Sequence, residues 1–279
     1  METNKVAIII LNYNSWQDTL NEAMLCNSLM KVDYENIIIV DNSSPNDSLE
    51  HLELESYEKN FILLKSKLNC GYAAGNNIGL RYAFDHGFKY AFILNNDILI
   101  KDSNLINKLL DVFRQDSNIA VVNPDVYSID GHLFNRDVKR PTFYDYTIGL
   151  ISYKKKGREI KKINNYGYIY RPQGCCMIVD LMKLSEIDYL DENTFLYWEE
   201  AILAERLLKK GYLCACNFST SIVHNHSKTV KSTFNIRRII NINNSSFSYY
   251  LKMYRNYTNM QIKICCLFNS LKLTILEKM

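Results

Sequence analysis

Three groups of residues in this chain have types and spacing suited to chemistry. The first is Asn95-Asn96-Asp97, two amides and a carboxylate that close the apolar run Ala91–Leu94, with apolar residues resuming at Ile98. An unpaired charge inside a core segment is costly. Asp97 therefore either has a structural partner or closes a strand and points into a site. The second reading, adopted here, makes it a ligand for a divalent cation. The second group is Glu199-Glu200, which follows Tyr197-Trp198 and opens a helical pattern ended by Gly211. Acids in a first helical turn complement the helix dipole. A carboxylate beside two aromatic rings is also partly desolvated, which raises its proton affinity and suits a general base. The third group is His224-Asn225-His226. On a strand both imidazoles face one side; such a pair can share a metal and more often binds nothing.

The elements that must position these groups are legible in order. Val6–Leu11 is a buried strand ending at Asn12-Tyr13-Asn14-Ser15, and Trp16–Leu29 has helical spacing. Asn36–Val40 is a second strand, closed by Asp41-Asn42-Ser43-Ser44-Pro45, with a helix to about Lys59 and a third short strand at Phe61–Leu64. A glycine loop, Gly71 to Asn77, precedes a helix stopped by Gly87, and Tyr90–Leu94 is the fourth strand. Beyond Asp97 the pattern gives a helix over about Leu105–Arg114 and a strand Ile119–Asn123 ended by Pro124. From Tyr127 to about Tyr170 it weakens into an aromatic, basic segment, read as acceptor-side loops. A strand over Cys175–Val179, the helix opened by Glu199, a strand over Tyr212–Cys216 and C-terminal helices from about Ser245 complete the chain. Apolar strands alternating with helices define an α/β fold with a mostly parallel sheet covered on both faces. Ligands of such sheets sit outside the carboxyl ends of the strands. Here each such end carries polar residues: Asn12 and Asn14; Asp41, Asn42 and Ser43; Gly71, Tyr72, Asn76 and Asn77; Asn95, Asn96 and Asp97.

Composition narrows the classes. The chain has 279 residues, 47% hydrophobic and 23% charged, with a net charge of +3 that gives no case for nucleic acid. Basic residues concentrate at Lys154–Lys162 and in the last fifty positions, which leaves open contact with anionic lipid head groups. The eight cysteines form no Cys-x-x-Cys pair, so zinc is not indicated. They read as free, mostly buried thiols of a reducing, cytoplasmic compartment. Val6–Leu11 is too short for a secretory core or a membrane span. The chain lacks a Gly-x-Gly-x-x-Gly after the first strand and a Gly-Lys-Ser/Thr, which excludes a dinucleotide-dependent dehydrogenase and a P-loop nucleotidase.

The ordered set Leu11-Asn12-Tyr13-Asn14, Val40-Asp41-Asn42-Ser43-Ser44, Asn69-Cys70-Gly71-Tyr72 with Gly75-Asn76-Asn77, Leu94 to Asp97, Gly174-Cys175-Cys176, Tyr197 to Glu200 and Val223-His224 resembles glycosyltransferase family 2. More narrowly it resembles the bacterial rhamnosyl- and galactofuranosyltransferase-like branch, and the resemblance covers about residues 5–232. It implies a GT-A fold and transfer, with inversion, from a UDP- or dTDP-sugar. The implied acceptor is a saccharide, or a saccharide carried on a polyprenyl diphosphate, in synthesis of a capsule, O-antigen or other surface polysaccharide. It further implies that Asn12, Tyr13, Asn14, Asp41, Asn42, Ser43, Gly71, Tyr72, Asn76, Asn77, Asn95 and Asn96 line the nucleotide-sugar. Asp97 with His224 would hold Mg²⁺ or Mn²⁺. Glu200, or its neighbour Glu199, would be the base, with Tyr197 and Trp198 against the acceptor. Lys228, Arg237 or Arg238 would add positive charge at the diphosphate. Two departures stand out: one acid where the family's metal motif commonly has two, and Glu-Glu where it commonly has Glu-Asp. A sugar nucleotidyltransferase and a degenerate nucleotide-binding protein are the alternatives. Residues 1–232 are taken as the transferase domain and 233–279 as a helical extension, either a lid or a membrane-surface element.

Overall fold

The computed structural model describes residues 6–151, 160–225 and 235–277. The elements are β1 (Val6–Asn12), α1 (Trp16–Ser28), β2 (Ile37–Asp41), α2 (Ser48–Lys59), β3 (Ile62–Lys65), α3 (Tyr72–Asp85), β4 (Tyr90–Leu94), β5 (Ile98–Ile100), α4 (Leu105–Gln115), β6 (Ile119–Ser128), α5 (Ile148–Ile151), β7 (Tyr166–Ile169), β8 (Cys176–Asp180), α6 (Leu181–Ser185), α7 (Glu199–Lys209), β9 (Leu213–His224), α8 (Ile236–Arg255) and α9 (Asn259–Glu277). The strands form one sheet in the order β3-β2-β1-β4-β8-β6-β9-β5, with β7 also paired to β9. β1 to β4 are mutually parallel, and two antiparallel steps through β8 return β6 and β9 to the same direction. Only β5, β7 and β8 run the other way, so the sheet is mostly parallel, as the apolar strands predict.

Strand geometry sends alternate residues to opposite faces. Ile8 and Ile10 accordingly join one core with Leu20, Phe92, Leu105 and Leu109, while Ala7 and Ile9 join another with Leu80, Leu203 and Leu207. This double coverage explains why β1 and β2 are continuously apolar rather than alternating. A third, smaller cluster joins Tyr146, Ala201 and Ile202 to Phe247, Tyr250, Leu251 and Cys265. It docks α8 and α9 on α7. The Asn235 side chain caps α8 by accepting from the Arg238 amide at 3.0 Å.

Several expectations are corrected. The stretch Ala73 to Asn77 is not a loop but the first turns of α3, which starts at Tyr72 with Gly71 as its left-handed N-cap (φ 99°). β6 does not stop at Pro124; it runs on to Ser128, because a register shift between Pro124 and Asp125 accommodates the missing amide donor. β9 continues past Cys216 to His224 as one strand. β5, three residues long, was too short to register as a periodic pattern. The weak segment holds α5 and β7, while most of its basic run falls outside the described residues, as do His226, Lys228 and Lys231. No described helix is long and apolar enough to cross a membrane.

Phe247 is 1% exposed and sits in the cluster that docks α8. A buried Phe→Ala change costs about 3–5 kcal/mol. Phe247→Ala should therefore shift the main cooperative urea transition. A variant that left that transition in place and added a separate early one would mean that the C-terminal helices fold apart from the sheet.

Candidate active site

At the ends of β1 and β2 the polar residues bond one another. Asn12 donates to Asp41 Oδ1 at 2.8 Å. Ser44 Oγ donates to the same oxygen at 2.6 Å, and its backbone amide donates to Asp41 Oδ2 at 3.0 Å. Ser44 Oγ in turn accepts from the Asn14 amide at 2.9 Å. Asn14 and Ser43 both have left-handed φ (62° and 59°), which turns the chain sharply out of each strand. Tyr13 is half-buried and Asn14 is exposed, so these residues form the rim of the strand ends. Asn42 ties this rim to the turn before α3, donating to Asn69 Oδ1 at 3.1 Å and to the Gly71 carbonyl at 3.2 Å.

The Asp97 corner is built by sheet register. β5 pairs antiparallel with β9 so that Ile98 faces His224, and the Asn225 amide donates to the Asp97 carbonyl at 3.0 Å. This pairing places Asp97 Oδ1 3.1 Å from His224 Nε2. The Asp97 and His224 side chains are 27% and 11% exposed, with Oδ1 and Nε2 themselves facing inward, and a carboxylate oxygen with an imidazole nitrogen fits a divalent cation as two of its ligands. Substrate phosphates and water ordinarily complete such a shell. No three described His, Cys, Asp or Glu side chains already form a cage. The Asn95 amide donates to the Cys175 carbonyl at 2.9 Å, extending the bond between β4 and β8. Asn96 is turned inward, its amide donating to Ser15 Oγ and Thr19 Oγ1 at 2.9 and 2.8 Å.

Glu199 and Glu200 open α7 directly after two consecutive left-handed residues, Tyr197 (φ 73°) and Trp198 (φ 72°). Non-glycine residues held there store about 1–3 kcal/mol each, and persist where the surroundings over-determine them. Here Trp198 stacks on Phe247 with ring centroids 4.0 Å apart, and its indole nitrogen donates to Asn243 at 3.1 Å. The turn separates the two acids. Glu199 is buried; burial first and the neighbouring Glu200 second push its carboxyl up to about 8. Glu200 is half-buried, and its Oε1 accepts from the Gly174 amide at 3.2 Å. The Gly174 carbonyl accepts from Tyr72 Oη at 2.7 Å. A Cβ on Gly174 would lie 2.9 Å from Tyr72 Oη and 3.1 Å from Glu200 Oε1, so glycine is what permits this approach. Cys175, its thiol pushed up by burial above all, lies within electrostatic reach of both Glu200 and Asp97.

The structure thus brings together Tyr72, Glu200, the Asp97–His224 pair and the β1–β2 rim. It does not bring Asn76 and Asn77 to them. Asn76 donates to the Tyr72 carbonyl, and Asn77 is fully buried, bonded to Leu190 and Glu192. Both amides thus donate within the fold from the first turns of α3, which begins earlier than the glycines suggested, and Asn76 Oδ1 has no hydrogen-bond partner among the described residues. Trp198 is half-buried and stacks on Phe247 and Tyr250 of α8. Sequence reasoning missed Ser44, Thr19 and Gly174 as participants. Ser44 and Gly174 stood within motifs already singled out, and Thr19 lies one helical turn beyond Ser15 on the same face.

The sequence pattern of glycosyl transferase family 2 matches residues 7–180, and the chain belongs to that family. Glu199, Glu200 and His224 lie beyond the matched segment. The chain is 26% identical over 196 residues to the low-salt glycan biosynthesis hexosyltransferase Agl10 of Haloferax volcanii, covering 70% of this chain and 59% of that protein. It therefore spans less than two thirds of that relative's length. Its fold is shared with GalNAc-T7 in complex with UDP, GalNAc and Mn²⁺ (TM-score 0.60, 13% identity, 89% of this chain and 50% of that one). It is shared also with the mannosyltransferase PcManGT of Pyrobaculum calidifontis in complex with GDP-Man and Mn²⁺ (TM-score 0.60, 15% identity, 96% and 69%). A third example is TarS 1–349 of S. aureus in complex with UDP-GlcNAc (TM-score 0.55, 14% identity, 88% and 66%). These likenesses establish the GT-A fold.

Glu199 carries a proton in the folded chain up to about pH 8 and loses it in the unfolded chain near its ordinary 4.5. The folded state binds more protons between these values, so this residue's contribution to stability falls as pH rises through that window. Glu199→Gln should flatten the decline in urea-unfolding free energy between pH 5 and 8. A decline as steep as in the unsubstituted protein would show that Glu199 ionises normally in the fold.

Proposed function

We propose that this chain is an inverting glycosyltransferase that moves a sugar from a UDP- or dTDP-sugar to a saccharide acceptor. The reading is supported above all by one arrangement: the Gly174-Cys175 segment joins both parts, since its Gly174 amide donates to Glu200 and its Cys175 carbonyl accepts from Asn95, two residues before the Asp97 that pairs with His224. In this reading a cation ligand and a base flank one backbone segment beside the carboxyl end of β4, where α/β sheets bind ligands. Membership of the family and the nucleotide-sugars bound by proteins of the same fold add to it.

In this reading Asn12, Asp41, Ser44 and the turn at Asn14 form the seat of the nucleoside, with Asn42 and Gly71 fixing its far edge. Asp97 and His224 would hold Mg²⁺ or Mn²⁺, which when bound offsets negative charge on the diphosphate. Glu200 accepts the proton of the acceptor hydroxyl. The hydroxyl oxygen bonds to the anomeric carbon as the bond from that carbon to the diphosphate oxygen breaks, with the electron pair leaving on the diphosphate. Attack opposite the leaving group inverts the configuration. Glu199, protonated and buried, is unsuited to this task and serves the turn beneath it.

The acceptor is a saccharide carried on a lipid diphosphate, in synthesis of a surface polysaccharide at the cytoplasmic face of the membrane. Two features of the C-terminal helices support peripheral contact. Met260, Leu267, Leu271 and Ile275 leave apolar surface on α9 exposed, with Lys263 and Lys272 exposed beside them.

The test is release of a nucleoside diphosphate from a panel of nucleotide-sugars, with and without Mn²⁺. Glu200→Gln should lower transfer by roughly 10²–10⁴-fold, the usual contribution of a general base, while Glu199→Gln retains most of it. Asp97→Ala should abolish the metal-dependent rate. Full turnover in Glu200→Gln and Asp97→Ala would overturn the site, and pyrophosphate as the product would make the chain a nucleotidyltransferase.

A further inference from the structure

The amide that donates to Glu200 belongs to the peptide group joining Gln173 to Gly174. The carbonyl end of that same group is also taken: it accepts from Asn123 Nδ2 at 2.8 Å. Asn123 Oδ1 accepts from the Gln173 amide at 3.2 Å, and Nδ2 donates as well to the Cys176 carbonyl. Asn123 is fully buried just beyond the paired residues of β6 and β8, beside Pro124, which has no amide to give. The next peptide group is held from the other side. The Tyr72 hydroxyl donates to the Gly174 carbonyl at 2.7 Å. Burial above all, and Glu200 after it, push the Tyr72 phenol well above its ordinary value, so it stays a donor. The Tyr72 amide in turn donates to the Phe195 carbonyl at 3.0 Å, two residues before the turn that opens α7.

A buried asparagine needs partners wherever it lies, and the bond to Cys176 extends the pairing of β6 with β8. The two bonds to Gln173 go further, because they sit directly behind the donor to Glu200. Glycine is the residue whose backbone is least restricted. At Gly174 both flanking peptide groups are nevertheless fixed, one by Asn123 and the other by Tyr72. Hydrogen bonds at the two ends of one peptide group also polarise and strengthen each other. We infer that Asn123 and Tyr72 are positioning residues for the base: they clamp Gly174 from both sides and so aim its amide at the Glu200 carboxylate. The inference rests on the reading of Glu200 as the base. It gives Asn123 a role that no sequence motif suggested, and it moves Tyr72 from the wall of the nucleotide-sugar to the support of Glu200.

The experiment measures nucleoside diphosphate release by the full chain from the UDP- or dTDP-sugar it turns over, with thermal unfolding as the fold control. Tyr72→Phe and Asn123→Ser should each lower kcat roughly 3- to 10-fold, the worth of one hydrogen bond expressed as a rate, with KM for the nucleotide-sugar unchanged. Asn123→Thr, better suited to a strand, takes the place of Asn123→Ser if that variant does not fold, and Tyr72→Phe decides alone if neither does. Each substitution is then combined with Glu200→Gln, whose residual rate is followed over hours with stoichiometric enzyme. That residual rate should not change, because the effect of the clamp runs through the carboxylate. A residual rate that falls by the same factor as in the single variant makes the residue a general support of the fold and overturns the clamp. A raised KM with kcat kept makes it a nucleotide-lining residue and does the same, as does full turnover in either folded single variant. If Glu200→Gln itself turns over fully, or no UDP- or dTDP-sugar turns over at all, the base reading fails and this inference fails with it.

Discussion

The pairing of Ile98 with His224 is the constraint on which the rest of the site depends. β5 is only three residues long, and its place in the sheet is fixed by β9 alone. A one-residue slip of that pairing would turn every side chain of the strand to the other face, taking Ile98 and Ile100 out of the core. Burial of those two isoleucines therefore sets the register, and the register sets Asp97 beside His224. β9 can do this because it is long: twelve residues that carry β6, β7 and β5 along their length.

The second constraint is the strained turn at Tyr197 and Trp198. Its strain is held by packing supplied from a distant part of the chain, the aromatic stack of Trp198 on Phe247 and Tyr250. The same helix is tied to α7 by polar bonds. Arg255 of α8 pairs with Glu205 of α7 at 3.5 Å, and Tyr170 bridges the two helices, its Oη donating to Glu205 at 2.6 Å and lying 2.9 Å from Tyr250 Oη. Buried charges kept in this way need every partner in place. The C-terminal helices thus belong to the architecture of the Tyr197–Trp198 turn rather than standing apart from it.

The sheet was legible in the sequence because β1, β2 and β4 are buried on both faces and read as unbroken apolar runs. The strand ends were legible because Asn12, Asp41 and Asp97 interrupt those runs with polar groups. β5 and the second half of β9 were not, since one is shorter than a period and the other carries Asn217 and Thr220 inside the sheet, where local patterning suggests a loop. The start of α3 was misplaced because the glycine content of Gly71 to Asn77 looks like a loop, whereas only Gly71 needs to be glycine for its backbone angle. The distinct fates of Glu199 and Glu200 could not be read at all. They depend on a left-handed turn that two aromatic residues would not ordinarily make, and on a helix some fifty positions later that holds it. Ser44 and Gly174 were hidden for a similar reason: their partners, Asn14 and Tyr72, are far away in sequence.

Gly174 uses both of its peptide groups at once, its amide on Glu200 and its carbonyl on Tyr72. An order of dependence is thereby written into a single backbone residue. Whatever fixes the ring of Tyr72 at the head of α3 fixes the Gly174 peptide, and whatever fixes that peptide orients the Glu200 carboxylate. The turn into α3 and the first turn of α7 thus share one backbone residue with no side chain between them, so the placing of Tyr72 and of Glu200 is joined through the main chain alone.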